Sequence, residues 1–244
     1  MRIVTYNMQH DKKSTDNWSA ILEATVPDIL LAQESLRPDQ CQRPLLEETW
    51  SEKVVRVPVE GQHWGSSVYI KSQPPRQLNL PEFRGWVVGV ELENHPLALT
   101  GKRVRVFSLH APTEKNRKYH RIVGEILDML RDHRDGFDVV IGGDFNLTVS
   151  QRHETEDRKN KKVNLEIQAR LREHFGLINC WQTKHPDTPL VQTLRWEKDP
   201  IPPYHCDGIF VPESWASRLT SCEVLTEDKW VGLSDHNPIV AEFK

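Results

Sequence analysis

The chain has 244 residues, 37% hydrophobic and 27% charged, with a formal net charge of −3. That length suits one large α/β or all-β domain or two small ones, and the composition excludes a disordered chain. So small a negative charge gives no global attraction to polyanions, so any nucleic-acid binding must come from a local basic patch.

Strand-like sequence from Arg2 leaves no room for a signal peptide, and no apolar run is long enough to span a membrane. Cys41, Cys180, Cys206 and Cys222 form no C-x-x-C pair, which argues against zinc and for reduced thiols in a cytoplasmic protein. Residues 2–6 are a β-rich run ending at Asn7. Trp18, Ile21, Leu22 and Thr25 have the spacing of an amphipathic helix, which Pro27 terminates. Residues 28–34 are a buried strand ending in Glu34. A loop and short helix are expected over 38–50, then sheet strands over 53–59, 65–71 and 84–92. Residues 103–110 form a further strand, and 116–131 a helix with Ile122, Ile126, Met129 and Leu130 on one face.

Val139-Val140-Ile141 reads as a buried central strand running into Gly142-Gly143-Asp144-Phe145-Asn146. The glycines permit a sharp turn and a close approach of another group. If the strand persists through Phe145, Asp144 and Asn146 project to one side; the alternative is an Asx-type turn closing the strand. Residues 151–162 are densely charged without apolar spacing, as in an exposed loop. Asn164 is the expected cap of a helix that buries Leu165, Leu171 and Phe175, with Gly176 at its C′ position. A proline-rich passage over 186–203 precedes a strand at 207–211. A polar loop at 232–237 leads into the last strand, 238–243. With no linker, composition shift or repeat, the reading is one α/β domain, 1–244, of packed sheets with helices outside.

Asn7, Glu34, His110, Asp144, Asn146, Asp207 and the pair Asp235-His236 nearly all stand at or beside the ends of apolar runs. Each alone is an ordinary turn former or a hydrogen-bonded histidine. Jointly they are carboxylates, amides and imidazoles where a rigid scaffold presents chemistry. Oxygen-rich ligands without thiolates suit a hard cation, Mg²⁺ or Mn²⁺, and such a centre suits hydrolysis of a phosphate ester.

With those residues in view, the chain resembles the endonuclease/exonuclease/phosphatase superfamily. The resemblance rests on Thr5-Tyr6-Asn7, Gln33-Glu34, Ser108-Leu109-His110, Gly143-Asp144-Phe145-Asn146 and Ser234-Asp235-His236, in the family order. It implies a four-layer α/β/β/α sandwich, two mixed β-sheets face to face with helices outside. It also implies Glu34 as principal metal ligand, helped by Asn7 and Asp235. Asp144 would orient or deprotonate the attacking water, with Asn146 positioning it or the phosphate. His236 would contact the scissile phosphate, oriented by Asp207, and His110 would assist near the leaving group. Two departures stand out. Gly208 follows Asp207 where many relatives have Tyr or Arg, and residues 65–69 offer no acid to His110.

Basic residues after His110 (Lys115, Arg117, Lys118, Arg121) and after Asn146 (Arg152, Arg158, Lys159, Lys161, Lys162) would suit a polyanionic strand, with Trp196 or Tyr204 stacking on a base. The bland alternative is solvated charge and ordinary aromatic packing. The preferred reading is a monomeric, metal-dependent phosphodiester hydrolase acting on DNA, with no membrane partner. The alternatives are a phosphomonoesterase on a small or phosphoinositide substrate and an inactive binding module of the same fold. A serine hydrolase built from Ser234, Asp235 and His236 fails, because three consecutive residues cannot easily form a relay. The H-E-x-x-H zinc motif is absent.

Overall fold

The computed structural model describes residues 1–10, 14–37, 50–98, 102–196 and 204–244. The loop and short helix expected over 38–50, all but Trp50, and the end of the proline-rich passage, 197–203, lie outside these residues. In chain order the elements are β1 (Arg2–Asn7), α1 (Ser14–Thr25), β2 (Ile29–Ser35), α2 (Trp50–Lys53), β3 (Val54–Pro58) and β4 (Gly65–Ile70). There follow β5 (Arg76–Gln77), β6 (Val87–Leu92), β7 (Arg103–His110), α3 (Tyr119–Arg131), β8 (Phe137–Asp144) and α4 (Lys162–Phe175). The chain ends with β9 (Leu177–Asn179), α5 (Cys180–Lys184), β10 (Asp207–Pro212), a 3₁₀ turn (Glu213–Arg218), β11 (Leu219–Val224), α6 (Asp228–Val231) and β12 (Ile239–Phe243).

The strands form two six-stranded sheets, ordered β11-β12-β1-β2-β4-β3 and β5-β6-β7-β8-β10-β9. Both are mixed: β1 pairs parallel to β2 and antiparallel to β12, and β8 pairs parallel to β7 and antiparallel to β10. Alternation along β8 explains the layering. Val140 joins Ile3, Leu31, Val106 and Ile239 in the core between the sheets, while Val139 and Ile141 join the outer core with Ile122, Ile126, Leu130 and Leu171. A strand buried on both faces reads as a continuous apolar run. The opposite face of the first sheet packs Val4, Tyr6 and Leu30 against Trp18 and Ile21 of α1 and against Trp230. Each such fully buried side chain contributes roughly 1.5–3 kcal/mol.

Two glycines set how closely the layers meet. A Cβ on Gly142 would lie 2.5 Å from Leu31 Cδ1 of the facing sheet, and one on Gly143 (φ +146°) would lie 1.9 Å from the Leu109 carbonyl oxygen. They bring β8 against β2 and β7, with His110 in register with Asp144.

Several local expectations need correction. β8 stops at Asp144, and Asn146 (φ 53°) turns back instead of continuing the strand. Asn146 N donates to Asp144 Oδ1 at 2.8 Å, so the Asx turn is what forms. Helix α3 starts at Tyr119 rather than Asn116, and α4 at Lys162 with Lys161, not Asn164, at its N-cap. Gly176 does close α4 in the left-handed conformation, as its freedom at φ 65° allows. Within α4 the fully buried residues are Ile167 and Leu171; Leu165 and Phe175 are only partly covered. The charged stretch after residue 151 is not simply solvated. Arg152 and Glu156 form an inward ion pair at 2.7 Å, each side chain 6% exposed. Glu156 also accepts from the His153 and Leu190 amides.

Candidate active site

The polar strand ends converge at one end of the sandwich. Glu34 lies where the β2–β4 register shifts between Ala32 and Ser35, and its φ of 49° turns its side chain off the strand. A bulge of this kind re-aims a side chain. Gln9, Glu34 and Asn146 are three of the five non-glycine residues with positive φ among the described residues. Such conformations cost of order 1–3 kcal/mol and gather at working sites.

Asn7, at the end of β1, donates its amide Nδ2 to Glu34 Oε1 at 3.2 Å and to Asp144 Oδ2 at 3.0 Å, while its oxygen accepts from Gln9 N. It therefore orders two carboxylates across the two sheets. His110 Nε2 lies 3.5 Å from Glu34 Oε1 and 3.8 Å from Asp144 Oδ2. His110 Nδ1 is buried with no partner among the described residues, in keeping with the missing acid at 65–69.

Asp207 opens β10 directly opposite Asp144. His236 Nδ1 bonds to Asp207 Oδ2 at 2.9 Å, and its Nε2 lies 3.7 Å from Asp144 Oδ2. Asp235, with a side chain 42% exposed, places Oδ1 3.9 Å from the same Nε2. Ser234 has no part in a nucleophilic relay: its hydroxyl donates to the Asn7 carbonyl at 2.7 Å and accepts from His236 N.

The electrostatics follow from this packing. Burial alone would raise the Glu34 pKa, but His10, His110 and Asn7 together lower it to about 2. Burial alone would depress His236, but Asp207 and Asp144 raise it to about 10 and favour the imidazolium. Asp144 moves up through burial and the facing Asp207, against the pull of His236 and His110. Asp235 is also raised, first by burial.

A divalent cation fits this donor set. Asp144, Asp207 and His236 offer ligand atoms that all lie within 4.8 Å of one another, and Asp207 Oδ1 is buried without a partner among the described residues. Oxygen donors predominate, and no thiolate belongs to the group.

Three residues that sequence reasoning missed hold the constellation together. His10 Nδ1 contacts Glu34 Oε2. Thr193 Oγ1 accepts from the Cys206 and Asp207 amides at 2.9 and 3.2 Å. Arg195 donates to the Trp230, Ser234 and His236 carbonyls and to Asn237 Oδ1, while its own amide binds the Asp235 carbonyl. No spacing in the sequence announces these contacts, since they cross 24 to 42 positions or depend on irregular loops.

The expected substrate-binding residues divide. Lys118, Arg158 and Tyr204 line a cavity of about 500 Å³ beside Asn146, together with Lys159 and Lys161. The Arg158 guanidinium lies 4.8 Å from the Tyr204 ring centroid, and Trp196, 48% exposed, meets that ring edge-on at 5.6 Å. Arg121 stands exposed on α3. Arg117 turns elsewhere, bonded to Glu114 at 2.8 Å and to Glu125.

Fold and site together define a two-sheet α/β sandwich carrying an acidic, imidazole-bearing centre at its strand ends. The chain belongs to the Endonuclease/Exonuclease/phosphatase family, whose sequence profile matches residues 4–236. An uncharacterized 149 kDa protein of transposon TX1 from Xenopus laevis is 26% identical over 144 residues, 57% of this chain; the match spans about a tenth of that relative. Among solved structures, a 3′ phosphatase, NExo (D146N), from Neisseria bound to a product DNA hairpin superposes with a TM-score of 0.73 at 19% identity, covering 100% of this chain and 99% of the other. The catalytic domain of Xenopus laevis APE2 gives 0.71 at 14% identity, with coverages of 100% and 92%. An AP endonuclease from Archaeoglobus fulgidus gives 0.70 at 17%, with coverages of 100% and 99%. Identities this low speak for the shared fold.

Proposed function

We propose that this chain is a divalent-metal-dependent phosphodiester hydrolase acting on DNA. The observation that carries the reading is the single contact network joining Asn7, Glu34, His110, Asp144, Asp207 and His236. Glu34, helped by Asn7 and Asp235, would hold Mg²⁺ or Mn²⁺, beside the Asp144, Asp207 and His236 group. A bound cation supplies charge neutralisation of the phosphate and of the departing oxygen.

The chain's own groups divide the remaining work. Asp144, its basicity raised by burial, accepts a proton from the attacking water. Asn146, pinned through Nδ2 to the Ala111 carbonyl at 2.9 Å, stands beside it to position water or phosphate. His236, held as the imidazolium by Asp207, donates a charged hydrogen bond to a phosphoryl oxygen. His110 lies on the opposite flank, toward the Trp86 and Trp64 rings, and would serve the leaving group. The cavity lined by Lys118, Arg158 and Lys161 offers cations to the strand's phosphates. Support for DNA as substrate comes from the neighbours described as a 3′ phosphatase bound to a DNA hairpin and as AP endonucleases.

The test is a metal-supplemented panel of duplex, single-stranded, abasic and 3′-phosphorylated DNA, RNA and phosphoinositides, with Glu34→Ala as the blank. Cleavage of DNA that EDTA abolishes is the expected result. Full activity of Asp144→Ala would remove the water-activating role assigned to that carboxylate. Release of inorganic phosphate alone, without strand cleavage, would replace the reading with a phosphomonoesterase.

A further inference from the structure

A second cavity, of about 690 Å³, is lined in part by Phe83, Trp86, Pro112 and Met129. Its volume is in the range of small-molecule sites. The Trp86 ring centroid is 5.1 Å from that of His110, so this one indole both lines the cavity and borders the candidate site. Trp86 is firmly braced. Its ring packs edge-on against Trp64 at 5.3 Å, and Trp64 in turn stacks on His10 at 4.5 Å. Its carbonyl accepts from His110 N at 2.8 Å and from Ser66 Oγ at 2.9 Å. An aromatic surface fixed in this way loses little entropy on stacking.

Charge limits what can enter. The walls carry Glu82, Glu114, Glu125, Asp128 and Asp132 against one cation, Arg117. Arg117 is bonded to Glu114 and Glu125, and Asp128 pairs with Arg170 at 2.7 Å. A phosphate would meet carboxylates there, whereas a neutral base could stack on Trp86 and direct its amino N–H groups to them. The basic cavity past Asn146 has the opposite character.

Building on the phosphodiesterase reading, we propose that the Trp86 cleft is a base-binding subsite for the nucleotide on the His110 side of the scissile phosphate. That base enters unstacked, so the preferred substrate is single-stranded, frayed or locally opened at the cleavage position. The face of a base within an intact duplex is covered by its neighbours and cannot reach Trp86.

A dinucleotide and its two singly abasic analogues test this directly. Their binding is measured by calorimetry in EDTA, and their cleavage with Mg²⁺ or Mn²⁺. One analogue, lacking the base on the His110 side, should bind roughly tenfold more weakly to the wild type, the usual scale of one base–aromatic stack. In Trp86→Ala that discrimination should collapse, and in Trp86→Phe part of it should persist. Equal binding of all three ligands by the wild type would overturn the subsite without any variant. So would discrimination that survives intact in Trp86→Ala. Failure of the wild type to cleave any strand would end the hydrolase reading instead, while the binding comparison would still decide the cleft.

Discussion

Asp144 and Asp207 face one another at the end of the β8–β10 ladder, two buried carboxylates in direct cross-strand register. Like charges so placed destabilise a sheet. The His236 imidazole offsets this, with Nδ1 2.9 Å from Asp207 and Nε2 3.7 Å from Asp144. One imidazole thus bridges the two carboxylates at the ladder end. Because His236 is raised to about 10 from 6.5, its stabilising contribution is complete below pH 6.5 and is lost as pH rises through about 10. Asp207→Asn should move that alkaline loss to lower pH in metal-free protein. An NMR titration of the His236 ring would show it, and hydrolysis should fall roughly a hundredfold or more. An unmoved His236 titration would mean that Asp207 does not set its protonation.

Glu34 titrates near pH 2, so its carboxylate is charged throughout the working range and no proton competes with a cation for it. Saturating Mn²⁺ should therefore raise the melting temperature of the wild type. At a hundredfold excess over Kd the stabilisation is about 2.7 kcal/mol. In Glu34→Gln most of that increment should vanish, and EDTA should leave the two proteins melting close together. An equal Mn²⁺ response in both would place the cation away from Glu34.

Gly143 carries both strain and proximity. Its φ of +146° is costly for any L side chain, and a Cβ there would meet the Leu109 backbone. Gly143→Ala must push β7 from β8 and so separate His110 from Asp144. Destabilisation of about 3 kcal/mol or more is expected from urea unfolding, with loss of activity in whatever fraction remains folded. Wild-type stability would show that the ladder tolerates the shift.

The strand ends were legible in the sequence because each is a polar residue closing an apolar run, and the central strand because Val139, Val140 and Ile141 are buried on both faces. What stayed hidden was short or irregular. β5 and β9 have two and three residues, too few for a period, and β11 alternates buried Leu219 and Cys222 with polar neighbours around a bulge. The turn at Asn146 was readable as one of two outcomes, since an Asx bond competes with strand extension in the same tetrapeptide. The role of Arg117 could not be read, because proximity to His110 in sequence says nothing of Glu125, eight positions further along the chain. Thr193 and Arg195 escaped for a related reason: they act on backbone groups of distant loops, and backbone groups leave no mark in composition.

Arg195 yields the last expectation. Its guanidinium, half-buried, bonds the carbonyls of Trp230 and His236 at 3.2 and 3.1 Å, that of Ser234, and Asn237 Oδ1, while its amide holds the Asp235 carbonyl at 2.8 Å. Arg195 is thus one of the main ties on the loop bearing Asp235 and His236, beside the Ser234 and Asp207 bonds. Arg195→Ala would leave several carbonyls without donors, at about 1–3 kcal/mol for each that water does not reach. Beyond that loss, kcat should fall by roughly tenfold or more and Mn²⁺ should bind more weakly, because Asp235 and His236 are held less firmly by the Gln9, Ser234 and Asp207 bonds that remain. Arg195→Lys should restore stability better than turnover, since an ammonium cannot reproduce the planar fork. Calorimetric Mn²⁺ titration beside steady-state kinetics separates the two effects. A variant that is less stable yet turns over and binds Mn²⁺ like the wild type would reduce Arg195 to a scaffold residue.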